Sequence, residues 1–197
     1  GFIQPHLHVG VPAFEKSDET KSSTDLLKII SEQSSESVRM SAEINCKLLW
    51  EGGTTTFLGM EHPLYTDAVF QTIHRSGLRA MVGNGWIDHG DAFPQVQMTM
   101  EELITQSQKL IRKWHLSENG RLRYILCPWS IPLCSGQSWR EIAEISNHQN
   151  IRIHTHACET IEELRSVKHG RSSDILNYFD QFDLADEKLS LAHCVWL

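Results

Sequence analysis

The chain has 197 residues, of which 40% are hydrophobic and 22% charged, and its formal net charge is -7. This length and balance predict a single globular domain with a sizeable core. The acidic excess and the lack of a basic run argue against a nucleic-acid partner. A membrane partner is not expected either, since no apolar run is long enough to span a bilayer and no signal peptide is recognised.

The five cysteines are scattered, odd in number and not spaced as metal-binding C-x-x-C pairs. This usage favours a reducing, cytoplasmic compartment over a disulfide framework. The chain also lacks an initiator methionine and begins and ends within apolar segments. We interpret it as cut at both ends.

Apolar and β-branched runs alternate with segments of helical spacing along the chain. The predicted strands cover residues 2–5, 54–60, 78–82, 122–127, 151–156 and 189–194. The predicted helices cover residues 24–51, 65–75, 98–114, 139–146, 160–167 and 173–179, and the first can bend at its polar stretch over 31–37. Loops are predicted over 9–23, 83–86 and 128–136.

This β-α alternation predicts an α/β fold with a parallel sheet and helical crossovers. A doubly wound open sheet and a TIM-type (β/α)8 barrel both fit, and no G-x-G-x-x-G follows the first strand. Polar groups follow several strands, as at a barrel's active-site face, so we favour the barrel. Only six units are recognised, whereas a full barrel needs about 250 residues. We therefore expect residues 1–197 to hold strands one to six of a truncated barrel.

A histidine pair ends the fifth predicted strand. His154 and His156 share one face because side chains alternate along a strand, and Glu159 follows directly. Imidazole is the commonest zinc ligand, and a hydrolytic metal site also needs a proton carrier. The alternative is two buried, hydrogen-bonded histidines beside a surface glutamate. A second pair, His6 and His8, ends the first strand.

Three motifs occur in a fixed order: His6-x-His8, His156-x-x-Glu159, and His193 at the end of the sixth strand. This set resembles the metal-dependent amidohydrolase superfamily. It is most similar to the branch that holds S-adenosylhomocysteine deaminase, guanine deaminase and the triazine hydrolases such as atrazine chlorohydrolase. The run over residues 52–56 also looks like that branch.

The resemblance implies a role for each matching residue. His6, His8 and His156 are expected to bind one divalent metal ion, zinc or alternatively iron. Glu159 is expected to shuttle protons, and His193 to orient or polarise the substrate. The family's fourth ligand, an aspartate after strand eight, is expected beyond this chain. So are barrel units seven and eight and a small β-sandwich domain.

The implied reaction is hydrolysis of a C–N bond in a nitrogen heterocycle by metal-activated water, foremost a deamination. The alternatives on the same site are a triazine-type chlorohydrolase or N-alkylamine hydrolase, and a cyclic amide hydrolase. A further alternative is a catalytically incompetent fragment. A homo-oligomer is expected, because unpaired strand edges recruit other chains.

Other polar and aromatic residues at strand ends are weaker candidates. His62, Trp86 and Trp129 are candidate substrate contacts, whereas His154 is expected to be a hydrogen-bonded residue deeper in the barrel. Trp129 occupies the place where nucleoside-deaminase members carry a histidine in a Pro-His-Ala-Pro-like turn. This difference predicts a flatter or more apolar pocket and argues against adenosine-type substrates.

Overall fold

The structure is a computed structural model that describes residues 1–12, 23–90, 93–170, 172 and 174–196. The strands are β1 Phe2–Leu7, β2 Thr54–Glu61, β3 Arg79–Trp86, β4 Leu122–Tyr124, β5 Cys127–Pro128, β6 Ile153–Ala157 and β7 Leu189–His193. The helices are α1 Ser23–Glu32, α2 Ser35–Glu51, α3 Thr66–Ser76, α4 Met100–Trp114, the short α5 Ser117–Gly120, α6 Gly136–Gln149, α7 Ile161–Gly170 and α8 Ile175–Asp180. Within the described ranges, no helix is both long and apolar enough to cross a membrane.

Every strand pairing in the described part of the chain is parallel, and the strands follow one another in sequence order. β1, β2, β3 and β4 form one sheet, to which β5 adds beside β3, and β6 pairs with β7. Single bridges from Leu126 to Ile153 and from Ser130 to His156 join the two groups. The predicted α/β class with a parallel sheet is confirmed.

The sheet curls until its first and later strands face each other. β6 lies four strand steps from β1, through β2, β3 and the β4–β5 segment. In a flat sheet these steps would span about 19 Å, because neighbouring strands lie about 4.8 Å apart. Yet the imidazole of His6 reaches that of His154, with Nδ1 2.8 Å from Nε2. The inner surface of the sheet therefore closes around a common centre.

The helix predicted over residues 24–51 is divided in two. Ser34 adopts extended backbone, and its hydroxyl accepts a hydrogen bond from the Ser37 amide, while the Ser37 side chain accepts one from the Ser34 amide. This capping box satisfies two free donors and starts a new helix inside the polar stretch. Of the loop predicted over 9–23, residues 13–22 lie outside the described ranges.

The third and fourth predicted strands differ most from the structure. β3 continues to Trp86, so the loop predicted over residues 83–86 is wrong. The fourth predicted strand is interrupted between Tyr124 and Cys127, which leaves the short β4 and β5. Within β3 the backbone comes very close to its neighbour, since a Cβ on Gly83 would lie 1.9 Å from the Ile125 carbonyl oxygen. Glycine permits this backbone contact because it has no side chain. The glycines of residues 83–86, which predicted a turn, therefore belong to a strand.

Gly83→Ala should therefore destabilise the fold by about 3 kcal/mol, because the added methyl group must displace the backbone of the adjacent strand. The matched change is Gly136→Ala in α6, where an added Cβ would have no described atom within 4 Å. Denaturant unfolding of both variants measures the difference. Equal stability of the two would contradict the close packing of β3 against the β4–β5 segment.

Candidate active site

Three imidazoles meet at the C-terminal ends of the curled sheet. His6 lies near the end of β1, His8 directly follows it, and His156 lies on β6. One ring nitrogen from each lies within 4.8 Å of the other two. The ring centroids are 4.9 to 5.3 Å apart. We call this cluster the histidine triad.

Two members of the triad bind backbone carbonyls through Nδ1. His8 Nδ1 donates to the Met60 carbonyl at 2.6 Å, and His156 Nδ1 donates to the Trp129 carbonyl at 2.8 Å. A carbonyl only accepts hydrogen bonds, so each of these Nδ1 atoms carries the proton. The Nε2 lone pairs of both rings remain available, as in metal-binding histidines whose other ring nitrogen donates to a carbonyl. His6 Nδ1 instead faces His154.

Burial keeps the triad neutral. It lowers the pKa of His6 to about 3, with further contributions from the nearby His8, His154 and His193. Burial likewise lowers the pKa of His8 to about 4 and that of His156 well below its usual value. A neutral imidazole is the form that binds a metal ion. Three converging neutral nitrogens therefore fit a divalent cation of the borderline-soft kind, such as zinc.

Glu159 and His193 lie beside the triad. Their side chains approach to 3.9 Å between Oε2 and Nε2, and both remain partly exposed. The His193 ring is 5.1 Å from that of His6 and 5.2 Å from that of His156. A carboxylate and an imidazole next to a metal-type cluster are the groups that proton transfer requires.

The backbone around these two residues is unusual. His193 has a φ of 72° in the left-handed region, which non-glycine residues rarely adopt. The next amide, that of Cys194, donates to the Ala157 carbonyl at 2.9 Å and so ties the end of β7 to β6. Glu159 donates its own amide to the Glu163 carboxylate at 3.0 Å. Strained backbone held by such bonds often marks a functional site.

A cavity of about 320 Å³ opens beside the triad, with Trp129, His156 and Glu159 in its wall. Leu27, Phe93 and Leu133 supply apolar surface to the same cavity. Trp129 is only 3% exposed and stacks on His8, with centroids 5.4 Å apart and planes inclined by 17°. A flat aromatic wall next to reactive groups suits a planar ligand.

Two of the candidate substrate contacts are buried and hydrogen-bonded inside the fold. Trp86 is fully buried, and its Nε1 donates to Ser107 of α4 at 2.9 Å, so it packs between sheet and helix. His62 uses both ring nitrogens, since Nε2 donates to the Ile30 carbonyl and Nδ1 accepts from the Leu64 amide, each at 3.0 Å. Both rings are therefore held by contacts inside the fold. Their strand-end positions indicated exposure, but helix packing covers them.

A contributor that the sequence analysis did not assign is Glu61, at the end of β2. Its two carboxylate oxygens accept from the amides of Val9 at 2.9 Å and Gly10 at 2.8 Å. Burial raises the pKa of this carboxyl to about 8, while the two amide hydrogen bonds oppose that rise because they favour the ionised form. Asn45 adds bonds to the carbonyls of Val9 and Val11. These contacts fix the backbone directly after His8. No local pattern could reveal them, because they join residues more than 30 positions apart.

Glu61→Gln should lower the free energy of unfolding by about 1–3 kcal/mol, because the new amide N–H2 would face a buried backbone donor without an acceptor. Denaturant unfolding measures this loss. Glu51→Gln on α2 is the matched change, since that side chain is 58% exposed. If both variants unfold at the same denaturant concentration, the buried carboxylate does not anchor the loop after His8.

Comparisons with known proteins agree with this geometry. A model of the amidohydrolase family matches residues 1–197. The chain is 31% identical over 156 residues to a 5'-deoxyadenosine deaminase of Methanothermobacter thermautotrophicus, which covers 79% of the chain and 35% of that protein. It is 31% identical over 156 residues to a guanine deaminase of Escherichia coli, which covers 77% of the chain and 35% of that protein.

Solved structures show the same similarity. The Escherichia coli guanine deaminase superposes with a TM-score of 0.86 at 26% identity, over 100% of this chain and 47% of that one. An atrazine chlorohydrolase of Arthrobacter aurescens complexed with zinc superposes with a TM-score of 0.85 at 18% identity, over 99% and 48%. The chain thus spans between a third and a half of these proteins. It belongs to the amidohydrolase family.

Proposed function

We propose that the protein carrying this chain is a metal-dependent hydrolase that removes an amino group from a nitrogen heterocycle as ammonia. The observation that carries the proposal is the histidine triad, whose ligand nitrogens lie within 4.8 Å of one another next to Glu159 and His193. The relatives at 31% identity, which are deaminases by name, support deamination.

We further infer that the curled sheet belongs to a (β/α)8 barrel, with β4 and β5 counted as one strand. The sequential parallel order and the contact between β1 and β6 support this architecture. In such barrels the active site lies at the C-terminal ends of several strands. The residues of this site follow that rule, since they come from the ends of β1, β6 and β7.

The Nε2 atoms of His6, His8 and His156 are the proposed ligands of one ion, with zinc preferred and iron as the alternative. When bound, the ion supplies Lewis-acid activation of water and of the carbon under attack. The partly exposed wall of the neighbouring cavity gives a heterocycle access to this position.

Side chains of the protein then transfer the protons. Water adds its oxygen to the ring carbon that bears the amino group, and Glu159 accepts one of its protons. Glu159 passes this proton to the amino nitrogen, the C–N bond breaks and ammonia leaves. The second proton of the water moves from the oxygen to the ring nitrogen next to that carbon, which leaves the oxygen as a carbonyl. His193, 3.9 Å from Glu159, is placed to hydrogen-bond to the oxygen that becomes the product carbonyl. Trp129 forms the flat wall against which the ring lies.

Triazine-type hydrolysis is the second candidate, because Trp129 gives the pocket an aromatic wall where an adenosine-type site would carry a histidine. A screen of aminopurines, aminopyrimidines and chloro- or amino-triazines with the full-length protein separates the two. Ammonia release from an aminopurine or aminopyrimidine supports deamination, whereas chloride or alkylamine release from a triazine supports the second candidate. The absence of all three products would contradict both.

Glu159→Gln should lower kcat by about a hundredfold or more while zinc remains bound, because the amide keeps the shape and removes the proton acceptor. Steady-state kinetics and metal analysis of the full-length protein measure both quantities. Glu144→Gln is the matched control, since that side chain is 64% exposed on α6, away from the cavity. Near-normal turnover of Glu159→Gln would show that another group carries the proton.

His156→Ala should abolish stoichiometric zinc binding, because two imidazoles cannot replace the three-nitrogen set. Zinc content after dialysis measures the change. His148→Ala on α6, whose side chain is 76% exposed, should retain the metal. A His156→Ala protein that still holds one equivalent of zinc would place the ion elsewhere.

A further inference from the structure

His6 differs from the other two members of the histidine triad in what holds it. His8 and His156 each donate Nδ1–H to a backbone carbonyl, which can only accept. His6 Nδ1 lies 2.8 Å from Nε2 of His154, and a ring nitrogen either donates or accepts according to its tautomer. Backbone geometry therefore sets the tautomers of His8 and His156 but not that of His6.

His154 has a second partner of the same ambiguous kind. Its Nδ1 lies 3.2 Å from the Ser190 hydroxyl, and the two residues are direct neighbours in the β6–β7 register. A hydroxyl can both donate and accept. His154 is 1% exposed, so its hydrogen-bonding groups depend on these contacts. Hydrogen bonds therefore link Ser190, His154 and His6 in a row across three strands.

This row of hydrogen bonds has two self-consistent proton arrangements. In the first, His6 donates from Nδ1 to His154, which donates from its own Nδ1 to Ser190, and the His6 Nε2 lone pair faces the triad. In the second, Ser190 donates to His154, which donates from Nε2 to His6. His6 then carries its proton on Nε2 and cannot bind a metal ion through that atom. Only the first arrangement completes a three-nitrogen site.

We propose that His154 is a positioning residue that accepts the Nδ1–H of His6, and that Ser190 stabilises the His154 tautomer that makes this possible. The inference rests on the proposed function, because it takes His6 as a ligand of a divalent cation such as zinc. It assigns a purpose to the buried histidine of β6, whose ring lies beside the triad without belonging to it.

The tautomers can be measured in the unaltered protein. In zinc-loaded, full-length protein with 15N-labelled histidine, two-bond 1H–15N spectra report which ring nitrogen carries the proton. His154 should be protonated on Nδ1 and unprotonated on Nε2, and His154→Gln identifies its signals by their loss. A proton on Nε2 of His154 in the zinc-loaded protein overturns the proposal, whatever the variants do.

Variants test the consequence for metal affinity, measured by chelator competition on the apo protein. His154→Leu removes the acceptor and should weaken zinc binding by about 10–100-fold, as loss of an outer-shell partner does. His154→Gln, whose amide oxygen can take the place of Nε2, should restore affinity to within about fivefold of the unaltered protein. His148→Gln on the exposed face of α6 is the matched control.

Ser190→Ala removes the hydrogen bond between the Ser190 hydroxyl and His154. It should increase the share of His6 protonated on Nε2 in the apo protein, seen in the same spectra, and weaken zinc binding by less than His154→Leu does. An unchanged His6 tautomer would remove Ser190 from the proposal.

The outcomes separate this inference from the proposed function. If the unaltered protein binds no zinc, or if His6→Ala leaves its zinc affinity unchanged, the proposed ligand set fails. If zinc binds through His6 and folded His154→Leu binds it equally well, only the positioning role fails. If His154→Leu does not fold, the tautomer measured in the unaltered protein decides.

Discussion

The curl of the parallel sheet is the constraint on which the site depends. β1 and β6 are four strand steps apart, yet the imidazoles of His6 and His154 meet at 2.8 Å. Parallel strands also end at one edge, so side chains at their C-terminal ends collect on one side of the sheet. Curl and direction together bring residues more than 140 positions apart into a single cluster.

Desolvation gives that cluster its chemical character. Burial lowers the pKa of His6 to about 3 and that of His8 to about 4, so the rings are neutral and present lone pairs. Neutral rings still need a defined tautomer, and the Met60 and Trp129 carbonyls set it for His8 and His156. Backbone acceptors at the strand ends therefore leave the Nε2 lone pair of each of these two rings available.

Buried polar groups hold the loops around the site in place. The Glu61 carboxylate accepts two amide bonds after His8, and the Cys194 amide donates to Ala157 beside the left-handed His193. Such bonds are costly to leave unmade in an apolar interior, so they specify one loop geometry. In this family member, loop positioning and core formation are the work of the same residues.

Local pattern was sufficient for the elements that carry the candidate site. The β-α alternation predicted a parallel α/β fold, and the resemblance of three short motifs to the amidohydrolase superfamily grouped His6, His8 and His156. Strand periodicity and each motif are local, because they are contained within a few consecutive residues. The boundaries of β3 were predicted less well, since glycines that allow close backbone contact look like turn residues.

What only the tertiary structure decided is which side chain meets which partner. Trp86 and His62 follow the same strand-end pattern as His8, but each is hydrogen-bonded to a helix, Trp86 to α4 and His62 to α1. The contact of His154 with His6 likewise depends on how far the sheet curls. The amino-acid sequence by itself determined the class of fold and the ligand types, because these follow from local periodicity and side-chain chemistry. The pairing of those ligands with their supporting groups required the tertiary structure, because it depends on distances between residues far apart in the chain.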